Sequence, residues 1–451
     1  MRAAALALGF GVAVAGCDWR AFDDLEKKTP VTSITAPSDY PASDEFGSIL
    51  LGVSPPKDGS AAGRFVATAL STGSVAVVSF NAAGNASAVG VRGTAIDQLM
   101  GGPITAVAEV PGESRVVMGA PYISYGDVVT MQLDAPQTPG EKPQYPTMTF
   151  QSTVGEAQYG VGVGAGNIGG AAAAEIVVFS ATTLHVYVDG LPTNHLTRPS
   201  QGDTDACPID FSGSLQVRDR ANRAVIVDQL LSSGKQIAVG SPAVTGVGHV
   251  SVFDVDVTTG TFACAAMLTG MEPRFGRAMT LVDLDGDGMD DHLLVGGPPT
   301  HAYLYTLPLS TGQAPLKMVT QAGALDFGAS VAAFDVDGKP GDEMFVGDPD
   351  AAVNDVMTAG QVMVYTGDSM TPLPSTMTFP NPLAEHNPGA GHGYGSGIIG
   401  MTFCPPNVVS ADGGLGGSDG GVAPCGPLPV IGSVSKVFTY FTLRQPDPRV
   451  K

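Results

Sequence analysis

The stretch Phe275-Gly276-Arg277-Ala278-Met279-Thr280-Leu281-Val282-Asp283-Leu284-Asp285-Gly286-Asp287-Gly288-Met289-Asp290-Asp291-His292-Leu293-Leu294-Val295-Gly296-Gly297-Pro298 decides how this chain is read. It passes from an apolar run through an acidic turn into a second apolar run and ends on a Gly/Pro break. Asp283, Asp285, Asp287 and Asp291 stand at the first, third, fifth and ninth positions of the turn. Carboxylates this crowded repel one another. A hard cation that prefers oxygen ligands, calcium above all, relieves that repulsion. Gly288 permits the tight bend, and the Met289 carbonyl offers one more oxygen. Asp290 falls between ligand positions and is expected to point away.

An EF-hand would place a bidentate Glu at the twelfth position and helices on both sides. The twelfth residue here is Leu294, and the flanks are short apolar runs bounded by glycine, which suit strands. The stretch resembles the FG-GAP repeat of integrin-α-type β-propellers. Phe275-Gly276 stands for the "FG", Asp283 to Asp291 for the calcium loop, and Gly296-Gly297-Pro298 for the "GAP".

A second copy, Phe327 to Pro349, aligns in register. Its acids are Asp335, Asp337, Asp342 and Glu343, but Lys339 holds the fifth position and Pro340 the sixth. An ammonium there neutralises the neighbouring acids from within, so this second metal loop is expected to bind weakly or not at all. Other copies keep the strands and lose the acids. Gly119-Ala120-Pro121, Tyr159-Gly160, Gly240-Ser241-Pro242 and Tyr394-Gly395 mark them. Aligned on Ala67, Gly119, Phe179, Gly240, Gly296, Gly347 and Gly432, the copies lie 52, 60, 61, 56, 51 and 85 residues apart. A unit of that size cannot bury its faces alone. The repeat therefore predicts an all-β chain, a β-propeller of seven blades, each a four-stranded antiparallel sheet. The resemblance spans roughly residues 45–443, and only the two acidic copies are specific.

Composition agrees. With 60 Gly, 35 Pro and 14% charged residues, the 451-residue chain suits short strands and tight turns. A net charge of −21 excludes most nucleic-acid binding and suits cation sites. Residues 1–16 read as a signal peptide, with Arg2 ahead of the apolar run Ala3 to Ala15. Val14-Ala15-Gly16-Cys17 resembles a bacterial lipobox, which implies a diacylglyceryl thioether on Cys17 and a membrane-held envelope protein. Residues 17–44 read as a tether, with Trp19 near the headgroups, and residues 444–451 as a tail. The four remaining cysteines allow three pairings; Cys207–Cys264 and Cys404–Cys425 are favoured.

Enzyme motifs fail on context. Gly164-Ala165-Gly166-Asn167-Ile168-Gly169 matches a dinucleotide-binding pattern, but a strand follows where the helix should be. Gly416-Gly417-Ser418-Asp419-Gly420 matches a nucleophile elbow inside a low-complexity run. His386 and His392 lie in a turn-rich stretch that could face a ligand. The reading is a monomeric, non-enzymatic, lipid-anchored and calcium-stabilised propeller of the envelope. It would bind a protein or polysaccharide, or act in adhesion. The rivals are a propeller hydrolase or lyase and a purely structural envelope component.

Overall fold

The computed structural model describes most of residues 31–440, leaving out 38–45, 92–101, 136–144, 200–206, 208–224, 373–378, 381–392, 405–425 and some shorter segments. Seven antiparallel sheets follow one another along the chain. Blade 1 comprises Phe46–Val53, Gly63–Ala69, Val75–Phe80 and Ala86–Gly90. Blade 2 comprises Ala106–Val110, Arg115–Ala120, Asp127–Gln132 and Thr147–Gln151. Blade 3 comprises Gly162–Gly166, Glu175–Phe179, Thr183–Tyr187 and His195–Pro199. Blade 4 comprises Val225–Asp228, Gln236–Ser241, His249–Asp256 and Thr261–Thr269. Blade 5 comprises Met279–Val282, His292–Gly297, His301–Thr306 and Lys317–Thr320.

Blade 6 comprises Ser330–Phe334, Glu343–Asp348 and Gln361–Thr366, with Thr371–Pro372 and Phe379–Pro380 both pairing to the third strand. Blade 7 takes Ile398–Phe403, Gly426–Gly432 and Lys436–Tyr440 from the end of the chain and its outer strand, Val31–Thr35, from the beginning. This is the seven-bladed propeller that the repeat predicts. Each anchor residue, from Ala67 to Gly432, falls on the second strand of its blade.

One boundary is corrected. Val31–Thr35 lies inside the stretch read as a tether, yet it pairs with Lys436–Tyr440. Polar residues and nearby prolines disguised it, because an outermost strand has one solvent-facing edge and needs no continuous apolar run. Cys17, the signal peptide and the 444–451 tail lie outside the described residues.

Each blade is covered on both faces, which explains why its inner strands read as unbroken apolar runs rather than alternating ones. Glu175–Phe179 is buried at every position. The core is divided accordingly into clusters that sit between consecutive blades, from the blade 7–blade 1 junction round to blade 6–blade 7. A large aromatic at or just before the start of the first strand plugs five of the junctions. Phe46, Tyr159, Phe275, Phe327 and Tyr394 are all fully buried, and burying a side chain of this size contributes about 1.5–3 kcal/mol.

The glycine after each of these aromatics is a rivet. Gly276 has φ +86° and donates its N–H to Gly296 O of its own blade at 3.0 Å. Its carbonyl lies against Gly240 of blade 4, where an added Cβ would sit 1.9 Å from the oxygen. The same approach recurs at Gly119 against Gly160, Gly296 against Gly328, Gly347 against Gly395, and Gly432 against Gly47. The last closes the ring. Phe46-Gly47 is thus the "FG" of blade 1, a copy hidden by its position at the edge of the presumed tether.

The dinucleotide-like glycines have a packing role. A Cβ on Gly164 or Gly166 would meet Val225 or Val227 of blade 4 at 2.7 and 2.5 Å. Among the described residues the only helical element is the 3-10 turn Val188–Gly190, and no helix is long and apolar enough to cross a membrane. Cys207 and Cys264 form a disulfide, as favoured. Cys404 is also disulfide-bonded, while Cys425 lies outside the described residues.

Two outcomes follow from this frame. Gly240→Ala forces blades 4 and 5 apart and should destabilise by about 1–3 kcal/mol, the usual scale of overpacking, measured as a lower urea midpoint. Removing residues 1–37 strips blade 7 of its outer strand and should lower the melting temperature. A truncated chain as stable as the full one would mean that the strand does not close the ring.

Candidate functional site: the acidic turn of blade 5

The turn joins the first and second strands of blade 5, on what is here termed the lower face. Asp283, Asp285 and Asp287 bring carboxylate oxygens within 4.8 Å of one another. The backbone shapes itself around them. Asp283 accepts N–H bonds from Gly286 (2.7 Å) and Gly288 (2.8 Å), Asp285 from Asp287 (3.1 Å), and Asp287 from Met289 (2.8 Å). Gly286 and Gly288 both take positive φ, +75° and +87°. An all-oxygen donor set of three acids fits a hard cation such as calcium.

The remaining expected ligands divide. Asp291 is not within the three-carboxylate group: its Oδ1 accepts Leu284 N–H at 3.1 Å and lies 2.6 Å from His292 Nδ1. Met289 is 68% exposed, its side chain free of the core. Asp290 turns away from the group, towards the cavity that the innermost strands enclose.

The corresponding turn of blade 6 is arranged otherwise. Glu343 is buried and caps the turn through Val336 N–H at 2.8 Å. Asp342 reaches across to blade 5: its Oδ2 accepts Asp283 N–H at 3.2 Å, and its own N–H donates to Asp283 O at 2.7 Å. Asp335 and the exposed Lys339 belong to the same turn, and Asp337 lies outside the described residues. The expected second metal loop therefore shows no gathered carboxylates among the described residues.

Comparison of the turns of blades 1 to 6 exposes a rule that the sequence only hinted at. Where the blade 5 turn has acids alone, others carry a cation. Arg64 starts the return strand of blade 1 and pairs with Asp134 at 2.6 Å. Arg115 does so in blade 2 beside Glu113 at 2.7 Å. In blade 4, Lys235 pairs with Asp228 at 3.2 Å. In blade 3, Glu175 is wholly buried and accepts Ile168 N–H at 2.6 Å. The carboxylates of Asp228, Asp342, Asp283 and Asp291, after desolvation, push Asp290 up to about 6.

The opposite, upper face carries groups that the sequence reading missed, because they come from segments far apart in the chain. His301 Nδ1 lies 2.5 Å from Glu272, which also accepts the Tyr303 hydroxyl. Arg274 and Arg277 both pair with Asp326, at 2.9 and 3.0 Å. Asp348, 1% exposed, accepts Asp326 N–H at 3.1 Å. Burial, then the neighbouring carboxylates Asp326 and Asp350, push Asp348 up to about 6. His386 and His392 lie outside the described residues.

Because the folded-state value of Asp348 is raised, ionising it favours unfolding. Its penalty is absent below about pH 4 and grows until pH passes about 6. Asp348→Asn removes that penalty, so the stability difference between pH 4.5 and pH 7.5 should shrink by about 2 kcal/mol, taking about 1.4 kcal/mol per pKa unit. Urea unfolding at the two pH values measures it, and an unchanged difference would show that Asp348 does not titrate there.

The sequence of the chain matches no family model. What the geometry establishes is a seven-bladed β-propeller with three carboxylates gathered in one turn of blade 5.

Proposed function

We propose that this chain is a calcium-stabilised propeller of the FG-GAP type, lipid-anchored at Cys17 in a bacterial envelope, and that it acts in ligand binding or adhesion rather than in catalysis. The observation that carries the metal reading is the gathering of Asp283, Asp285 and Asp287 in a turn where several sibling turns have a lysine or arginine. The Cys207–Cys264 disulfide supports an exported, oxidising environment. A single extracellular-type site would bind with a dissociation constant on the order of 10⁻⁴–10⁻³ M. At a hundredfold excess of calcium, the folded state then gains about 2.7 kcal/mol.

The test is thermal. Calcium should raise the melting temperature of the wild type, and a chelator should reverse it. Asp285→Ala should remove most of the response, whereas Asp342→Asn should leave it largely in place. A wild-type melting curve indifferent to calcium would reduce the turn to a plain acidic bend. The anchor has its own test: Cys17→Ala should abolish partition into detergent and membranes, and an unchanged membrane fraction would refute lipidation. Purified protein should show no turnover on esterase, glycosidase or peptidase substrates; turnover lost with one polar substitution would favour the enzyme reading.

A further inference from the structure

A cavity of about 360 Å³ lies among the innermost strands of blades 1, 2, 4 and 5. Its apolar surface comes from the half-buried side chains of Ala108, Ile226 and Leu281, while Val107, Val225 and Met279 line it from strands whose side chains are buried between the blades. Among the described residues its only charged lining groups are two carboxylates, Glu109 near the end of the first strand of blade 2 and Asp290 from the acidic turn. Glu109 Oε1 accepts Ser54 N–H at 2.8 Å. Among the described residues no lysine, arginine or histidine lines the cavity to neutralise them.

These features constrain an occupant. An anion would meet two like charges and the acidic lower face beyond them. A bare metal ion gains nothing from the alanine, isoleucine and leucine side chains there. A neutral apolar molecule would leave the carboxylates unanswered. The volume lies near the lower end of the range for small-molecule pockets, too small for a folded segment of another protein. An apolar body with a positive head satisfies both the walls and the rim. We propose that this cavity binds a small organic cation, an alkylammonium whose chain packs on the inner strands and whose head meets Glu109 and Asp290. The site stands apart from the metal reading, since none of Asp283, Asp285 and Asp287 lines it.

The experiment is calorimetric titration of the full chain, held in excess calcium, with hexylammonium, hexan-1-ol and hexanoate. Hexylammonium should bind saturably, hexan-1-ol at least tenfold more weakly, and hexanoate not at all. Combining Glu109→Gln with Asp290→Asn keeps the shape, removes the charge, and should weaken hexylammonium at least tenfold. Ala108→Phe fills the cavity and should abolish binding; if that variant does not fold, the charge-neutral pair decides. Repeating the titration on Asp285→Ala separates this site from the metal turn, because affinity for hexylammonium should survive there. Absence of saturable binding, equal binding of the alcohol, or affinity unchanged by neutralising both acids would each overturn the proposal.

Discussion

Backbone against backbone, with no side chain between, is the contact on which this structure depends. At five of the blade junctions a glycine carbonyl rests on a glycine of the preceding blade's second strand, close enough that a methyl group on the latter would overlap it. The same residue's N–H bonds to the second strand of its own blade at four of them, for example Gly328 to Gly347 at 2.9 Å and Gly395 to Gly432 at 2.9 Å. Each rivet therefore fixes both the pairing within a blade and the distance to the one before it. The buried aromatic just ahead fills the wedge left where two twisted sheets diverge. The exceptions are instructive. Blade 2 enters on Ile104-Thr105, with Thr105 N–H still donating to Gly119 O at 2.9 Å. The hydrogen bond survives the loss of the glycine pair.

That constraint is why so much of the fold was legible in the sequence. A rivet needs glycine at fixed offsets from an aromatic and from an apolar strand, so Phe275-Gly276 and Gly296 carry the blade's register in their spacing. What stayed hidden is nonlocal. Closure of the ring pairs Val31–Thr35 with Lys436–Tyr440, some four hundred residues away, and nothing in the short polar strand announces its partner. The surroundings of Asp291 were hidden for a related reason. Spacing places it on the turn, but Leu284 N–H and His292 compete for its Oδ1, and only three dimensions reveal that competition. The Asp326 cluster joins residues of two blades by the same logic.

Repetition also makes the departures informative. The described turns between first and second strands occupy equivalent places at the foot of their blades, so the chain carries its own controls. In blade 4 a buried side chain closes the turn, Gln236 accepting Leu230 and Leu231 N–H at 3.0 Å each. Where a carboxylate stands at the start of the turn, as at Asp228, a lysine answers it. Blade 5 breaks both habits at once, with three gathered acids and its ninth-position carboxylate committed to backbone and histidine. Three like charges within 4.8 Å of one another repel, and each disfavours the ionised form of its neighbours.

Placement then distinguishes the two sites argued here. The acidic turn sits where blades 5 and 6 meet: Asp342 bonds to both the N–H and the carbonyl of Asp283, and Gly286 abuts Pro340 and Gly341. A cation held by Asp283 would therefore stiffen a junction and not just a hairpin, which makes its readout thermal stability. The cavity touches the same turn only through Asp290, the one acid there that faces inward, and takes the rest of its lining from inner strands that the rivets already hold. Occupying it need not move a blade. A ligand there should bind according to its charge and shape while leaving the frame untouched, because the glycine-on-glycine contacts that hold the inner strands involve none of the residues lining the cavity.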